Sequence, residues 1–134
     1  MEQSYNLKEI VRLDSMHDQR IQSISLENSK LIFHYDDVHF DGEMERRSCD
    51  IIFKGVNAGD VYAEVRKRSG LSIEGKVYYD EEFIQFISKN QYVIETINFY
   101  SGDLSVIVHA HLIDATGKYC EECIIKISAA EVQY

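Results

Sequence analysis

The sequence predicts a mainly β fold at the α+β borderline. The expected architecture is a two-layer antiparallel sheet, or a β-sandwich-like meander, with one firm short helix at about residues 80–90. Three observations predict it. Period-two alternation of β-branched and aromatic residues recurs along most of the 134 residues. The last third alternates over three long segments separated by short turns, the pattern of an antiparallel meander. Only the segment near residue 80 carries a firm helical period.

From the N-terminus, Leu7, Ile10 and Val11 form a stripe that predicts a weaker helix over Asn6–Leu13. Residues 19–27 then alternate, with Ile24 and Leu26 opposite Ser23 and Ser25. Asn28-Ser29 tolerates left-handed backbone, and Leu31, Phe33 and Tyr35 alternate beyond it, so the two segments predict a hairpin. Val38 to Phe40 continue the second strand past a bulge at Asp36-Asp37. Residues 41–48 are polar, contain Gly42 and read as an exposed loop. Cys49, Ile51 and Phe53 alternate up to Gly55, and Val61, Ala63 and Val65 give a further strand, closed by a turn at Lys67-Arg68-Ser69-Gly70.

Asp80 is the expected N-cap of the helix. Glu81 and Glu82 suit the positive end of its dipole, and Phe83, Ile84, Phe86 and Ile87 form its apolar stripe. Strands are expected over Tyr92–Tyr100, Leu104–Ile113 and Tyr119–Ser128, with turns at Ser101-Gly102-Asp103 and around Gly117. Leu104, Val106, Val108, Ala110 and Leu112 read as one apolar face. The total is seven to eight strands in a single domain spanning residues 1–134.

Composition narrows the function classes. The net charge is −9, spread as −4 over residues 1–67 and −5 over the rest. That balance argues against a nucleic-acid partner, which needs a basic surface. No apolar run approaches the ~18 residues of a membrane span. The start, Met1-Glu2-Gln3-Ser4, shows no secretion signal, and three Cys then fit reduced thiols in a cytoplasmic protein. Neither a disulfide nor a structural metal is expected, and Cys49 and Cys123 should be buried as small apolar groups.

Four constellations could carry chemistry. His109 and His111 share one face of a strand, as paired metal ligands do, but a third convergent ligand is needed and Asp114 sits at a turn. Cys120 and Cys123 make a C-x-x-C, yet three residues apart on a strand they face opposite ways. His17-Asp18 could orient an imidazole, or Asp18 could bond backbone or pair with Arg20. Lastly, Asp36, Asp37, Asp41, Glu43 and Glu45 place five carboxylates within ten residues, with no Lys or Arg among them. That run reads as a cation loop, as a docking surface for a basic protein, or as a solvated loop. Its spacing is not that of an EF-hand. No nucleophile elbow, zincin, phosphate-loop or dinucleotide motif is present.

Leu13-Asp14-Ser15-Met16-His17-Asp18-Gln19-Arg20-Ile21, Leu31-Ile32-Phe33-His34-Tyr35 and Cys49-Asp50-Ile51-Ile52-Phe53-Lys54-Gly55-Val56 resemble segments of small bacterial proteins. Some of those are similar to immunity proteins of polymorphic toxin systems. The likeness covers residues 13–100, with Met16 where such proteins carry Leu. It implies a cytoplasmic, non-enzymatic binding protein and brings no catalytic residue or cofactor. The leading expectation is therefore an acidic binding protein, of the immunity type, for a basic toxin. A metal-assisted enzyme using His109 and His111 is the alternative, and a homo-oligomeric structural protein, a homodimer for instance, paired through strand edges is the third.

Overall fold

The computed structural model describes residues 4–7, 18–39 and 44–134. They form ten strands and one helix. The strands are β1 (Ser4–Asn6), β2 (Arg20–Glu27), β3 (Lys30–Val38), β4 (Arg47–Lys54), β5 (Val61–Ser69), β6 (Ser72–Tyr79), β7 (Val93–Gly102), β8 (Ser105–Ile113), β9 (Tyr119–Ser128) and β10 (Glu131–Gln133). The helix α1 spans Asp80–Lys89. All strand pairs are antiparallel, in the order β1-β10-β4-β3-β2-β7-β8-β9-β5-β6. The fold is mainly β as the alternation predicts, and the sheet does not close into a barrel.

Its shape follows from one short connection. β9 and β10 lie six strand positions apart, about 29 Å across a flat sheet at ~4.8 Å per strand. Only Ala129 and Ala130 join them, and the three Cα steps from Ser128 to Glu131 reach at most about 11 Å. The sheet must therefore curl until β10 and β4 stand beside the end of β9. Backbone bonds seal the junction: Ala130 N–H donates to Lys54 O (2.8 Å), Leu7 N–H to Ala130 O (2.9 Å) and Ala129 N–H to Leu104 O (3.0 Å). Gly55 fits here because its φ is +76° and a Cβ would come within 3.1 Å of the Ala130 methyl. At the opposite corner β2 and β7 share only the pairs Arg20–Glu95 and Ile21–Ile94. The curled sheet thus has two walls of five strands each.

The inner faces meet in one core. Leu31, Phe33 and Tyr35 of β3, Ile51 and Phe53 of β4, Val61 and Ala63 of β5, Val106 to Leu112 of β8 and Ile125 and Ile127 of β9 supply alternate residues to it. Helix α1 contacts β2 on one wall and β5 and β6 on the other. It inserts Phe83 and Ile87 between them and so covers an open side of the curl.

Several sequence expectations need correction. The described residues form ten strands, of which β1, β6 and β10 have no counterpart among the expected strands; β5 runs through Ser69 and turns at Gly70-Leu71 into β6. Gly70 takes φ +61°, as the first position of a type II′ turn requires. β4 begins at Arg47, inside the expected loop. Asn6 lies in β1 rather than at a helix start, and residues 8–13 of that expected helix fall outside the described residues. Leu104 belongs to the turn, not to the apolar face of β8. Asp103 and Leu104 take φ +50° and +62°, which leaves Leu104 partly exposed.

The helix matches the expected span, but Asp80 does not cap it. Tyr79 occupies the N-cap position without a side-chain bond. Asp80, at φ +46°, instead accepts the Gly59 N–H (2.6 Å) and Val61 N–H (3.1 Å), fastening the helix start to the entry of β5. Asp80→Ala should lower stability by about 1–3 kcal/mol, since two backbone donors lose a charged acceptor. Asp80→Asn, which keeps one acceptor oxygen, should lose less. Urea denaturation of the three proteins measures both, and an Ala variant as stable as wild type contradicts the account.

Candidate functional site

The acidic segment lies at the far end of the β3–β4 hairpin. Up to Tyr35 the alternation of β3 is regular, with Leu31, Phe33 and Tyr35 inward. The β3–β4 register then shifts between Tyr35 and Val38, and Val38 is buried again. Two residues occupy a stretch where regular pleating has one, so both Asp36 and Asp37 face solvent. Their side chains remain 61% and 67% exposed. Glu45 is exposed beside Met44, which is almost wholly so. Asp41 and Glu43, with Phe40, lie outside the described residues.

Cations pair with Asp36 and Asp37. Arg46 Nε donates to Asp37 Oδ1 (2.8 Å), and Arg46 Nη2 to the Asp37 carbonyl (3.1 Å). His34 points to the same face as Asp36 and stands opposite Asp50 of β4. Its Nε2 lies 2.7 Å from Asp36 Oδ1 and its Nδ1 2.5 Å from Asp50 Oδ1. His34 can donate to both carboxylates at once only in the imidazolium form. The bond to Asp50 holds the His34 pKa above its usual value, opposed by partial desolvation and helped by Asp36. The run of acids is visible in the sequence; the paired cations depend on the β3–β4 register and on Arg46 folding back.

The expected imidazole pair is also formed. His109 and His111 share the outer face of β8, their ring centroids 6.2 Å apart. His111 stands between Glu95 of β7 and Glu122 of β9 in the register, with the Tyr119 ring edge-on at 5.7 Å. Glu95 accepts Arg20 Nε (3.1 Å) and the Tyr119 hydroxyl (3.0 Å). Arg20 thus pairs with Glu95 rather than with Asp18. The third ligand candidate, Asp114, is committed to its own turn. It accepts the Thr116 hydroxyl, Lys118 N–H and Thr116 N–H, bonds that pull its pKa down to about 2. Among the described residues, no three His, Cys, Asp or Glu converge as a metal site would need.

The remaining candidates are placed simply. Cys49 and Cys123 are buried and Cys120 exposed, and none of the three is in a disulfide. Burial pushes the Cys123 thiol up to about 12. His17 lies outside the described residues, while Asp18 sits in a turn whose N–H donates to Thr96 O (2.7 Å). No helix among the described residues is long and apolar enough to cross a membrane. No protein-family model matches the chain, and no curated protein and no solved structure is significantly similar to it.

Two outcomes follow from these placements. In native protein only Cys120 should react with a thiol reagent, and all three cysteines should react once it is unfolded. For His34, the raised folded pKa means that protonation favours the folded state. Its contribution is fully present below the unfolded value of about 6.5 and is lost as pH rises through the folded pKa. NMR titration should show His34 protonating above that value, and Asp50→Asn should move the midpoint down. An unchanged midpoint in the variant contradicts the pairing.

Proposed function

We propose that the protein is a non-enzymatic binding protein whose acidic β3–β4 end docks a basic protein, in the manner of an immunity-type inhibitor of a toxin. The observation that carries this reading is the bulge that turns consecutive acids, Asp36 and Asp37, outward on a strand whose other side is core. A solvated loop needs no such placement on a rigid element. Pairing with His34 and Arg46 reduces the side-chain freedom lost on contact, which favours binding. The net charge of −9 adds long-range attraction for a basic partner and speeds encounter. Such a role requires a stable scaffold and a shaped, charged surface, with no catalytic group.

The test uses the product of the gene adjacent to this one, purified and added to the protein at low and high salt. Wild type should bind with an association rate that falls as salt rises. The variant Asp36→Asn, Asp37→Asn, Glu45→Gln should fold normally, bind about tenfold or more slowly and lose most of the salt dependence. Equal association rates for both proteins at all salt concentrations would remove the acidic end from the function.

A further inference from the structure

We infer that β6 is a self-association edge, at which a second copy of this chain adds its own β6 antiparallel to form a two-fold dimer. β6 ends the strand order, and among the described residues nothing pairs with its outer side. Seven of its eight residues are exposed, Tyr78 alone being half-buried. The strand contains neither Pro nor an interrupting bulge in its pairing with β5. Such an edge is a template for another strand unless its side chains forbid it.

Here the side chains favour one pairing. In an antiparallel two-fold contact, opposed residue numbers have a constant sum. With Gly75 opposite Gly75 of the second copy, Glu74 faces Lys76, and Lys76 faces Glu74. Ile73 faces Val77 on the other side of the strand, and Leu71 at the turn faces Tyr79. These four apolar residues are all exposed in the single chain, Leu71 and Ile73 most fully. Lys67 of β5 already stands opposite Glu74, so the joined sheet would carry a row of alternating sign: Lys67, Glu74, then Lys76 of the second copy.

Neighbouring registers lose this match. A slip by one pair in one direction sets Lys76 against Lys76; the opposite slip sets Glu74 against Glu74. Like charges directly opposed destabilise a strand pair. Backbone geometry agrees with the favoured register. The two-residue turn closes on Ser69 opposite Ser72, so alternation of the ladder aims the N–H and C=O of residues 73, 75 and 77 away from β5. Those are the groups a second β6 would meet. Glu74 and Lys76 then fall at the closely spaced pairs, where side chains interact most strongly.

Sedimentation velocity on the full chain tests this, over a roughly 100-fold range of concentration. Wild type should shift from one chain to two as concentration rises. Glu74→Lys and Lys76→Glu should each weaken dimerisation by about tenfold or more, since each creates two like-charge contacts. The double variant Glu74→Lys, Lys76→Glu should recover it. A chain that stays monomeric throughout overturns the inference. So does a dimer that is indifferent to both single reversals.

Discussion

Everything in this fold depends on the reach of two alanines. Ala129 and Ala130 must carry the chain from β9 to β10, between positions that the pairing order sets six strands apart. A flat or gently twisted sheet cannot meet that condition. The curl it imposes turns ten antiparallel strands into two facing walls, and the facing walls create a core. Small side chains suit the crossing. Gly55 and Ala130 approach closely, and Leu7, Lys54 and Leu104 all exchange backbone bonds with the link. Polar backbone at the junction is satisfied by these bonds, as buried peptide groups require.

The curl also explains the helix. Two walls joined at one narrow corner by β2 and β7 leave an open side, and a ten-residue helix about 15 Å long spans it. Its amphipathic stripe supplies Phe83 and Ile87 to the core, while Phe86 stacks on Tyr78 of β6 with ring centroids 4.4 Å apart. Asp80 holds the start of the helix to β5 through two backbone bonds. The residue that composition rules assign to capping therefore serves a tertiary joint. Propensity identifies Asp80 as a terminus but cannot say which donors its carboxylate meets.

Legibility in the sequence follows the burial of one face. β2–β5 and β7–β9 alternate because one side of each is core, and their spans are readable to within a few residues. The bulge at Asp36-Asp37 is readable too, since two adjacent acids between inward Tyr35 and Val38 leave no regular alternative. β6 is not. Only Tyr78 on it is even half-buried, Gly75 interrupts its pattern, and no alternation of buried residues marks it as a strand. Leu104 misleads for the converse reason, because an apolar residue in phase with Val106 reads as sharing its face. At the candidate sites the acids and the two imidazoles are visible. Their partners are not: Arg20 and Glu95 are 75 residues apart, and only the β2–β7 pairing brings them together.

The two surfaces carry opposite design features and sit on different walls. The acidic end belongs to β3 and β4, near the middle of the strand order, while β6 terminates it. Edge strands commonly carry charge to prevent promiscuous pairing. Glu74 and Lys76 do so against displaced copies of themselves, yet they complement each other in a single register. That is specificity by exclusion as much as by attraction. Joining two β6 edges does not require the β3–β4 end, so each copy keeps its acidic face. A paired molecule would then present two equivalent acidic ends, and its avidity for an oligomeric basic partner would be set by the distance between them rather than by any new contact.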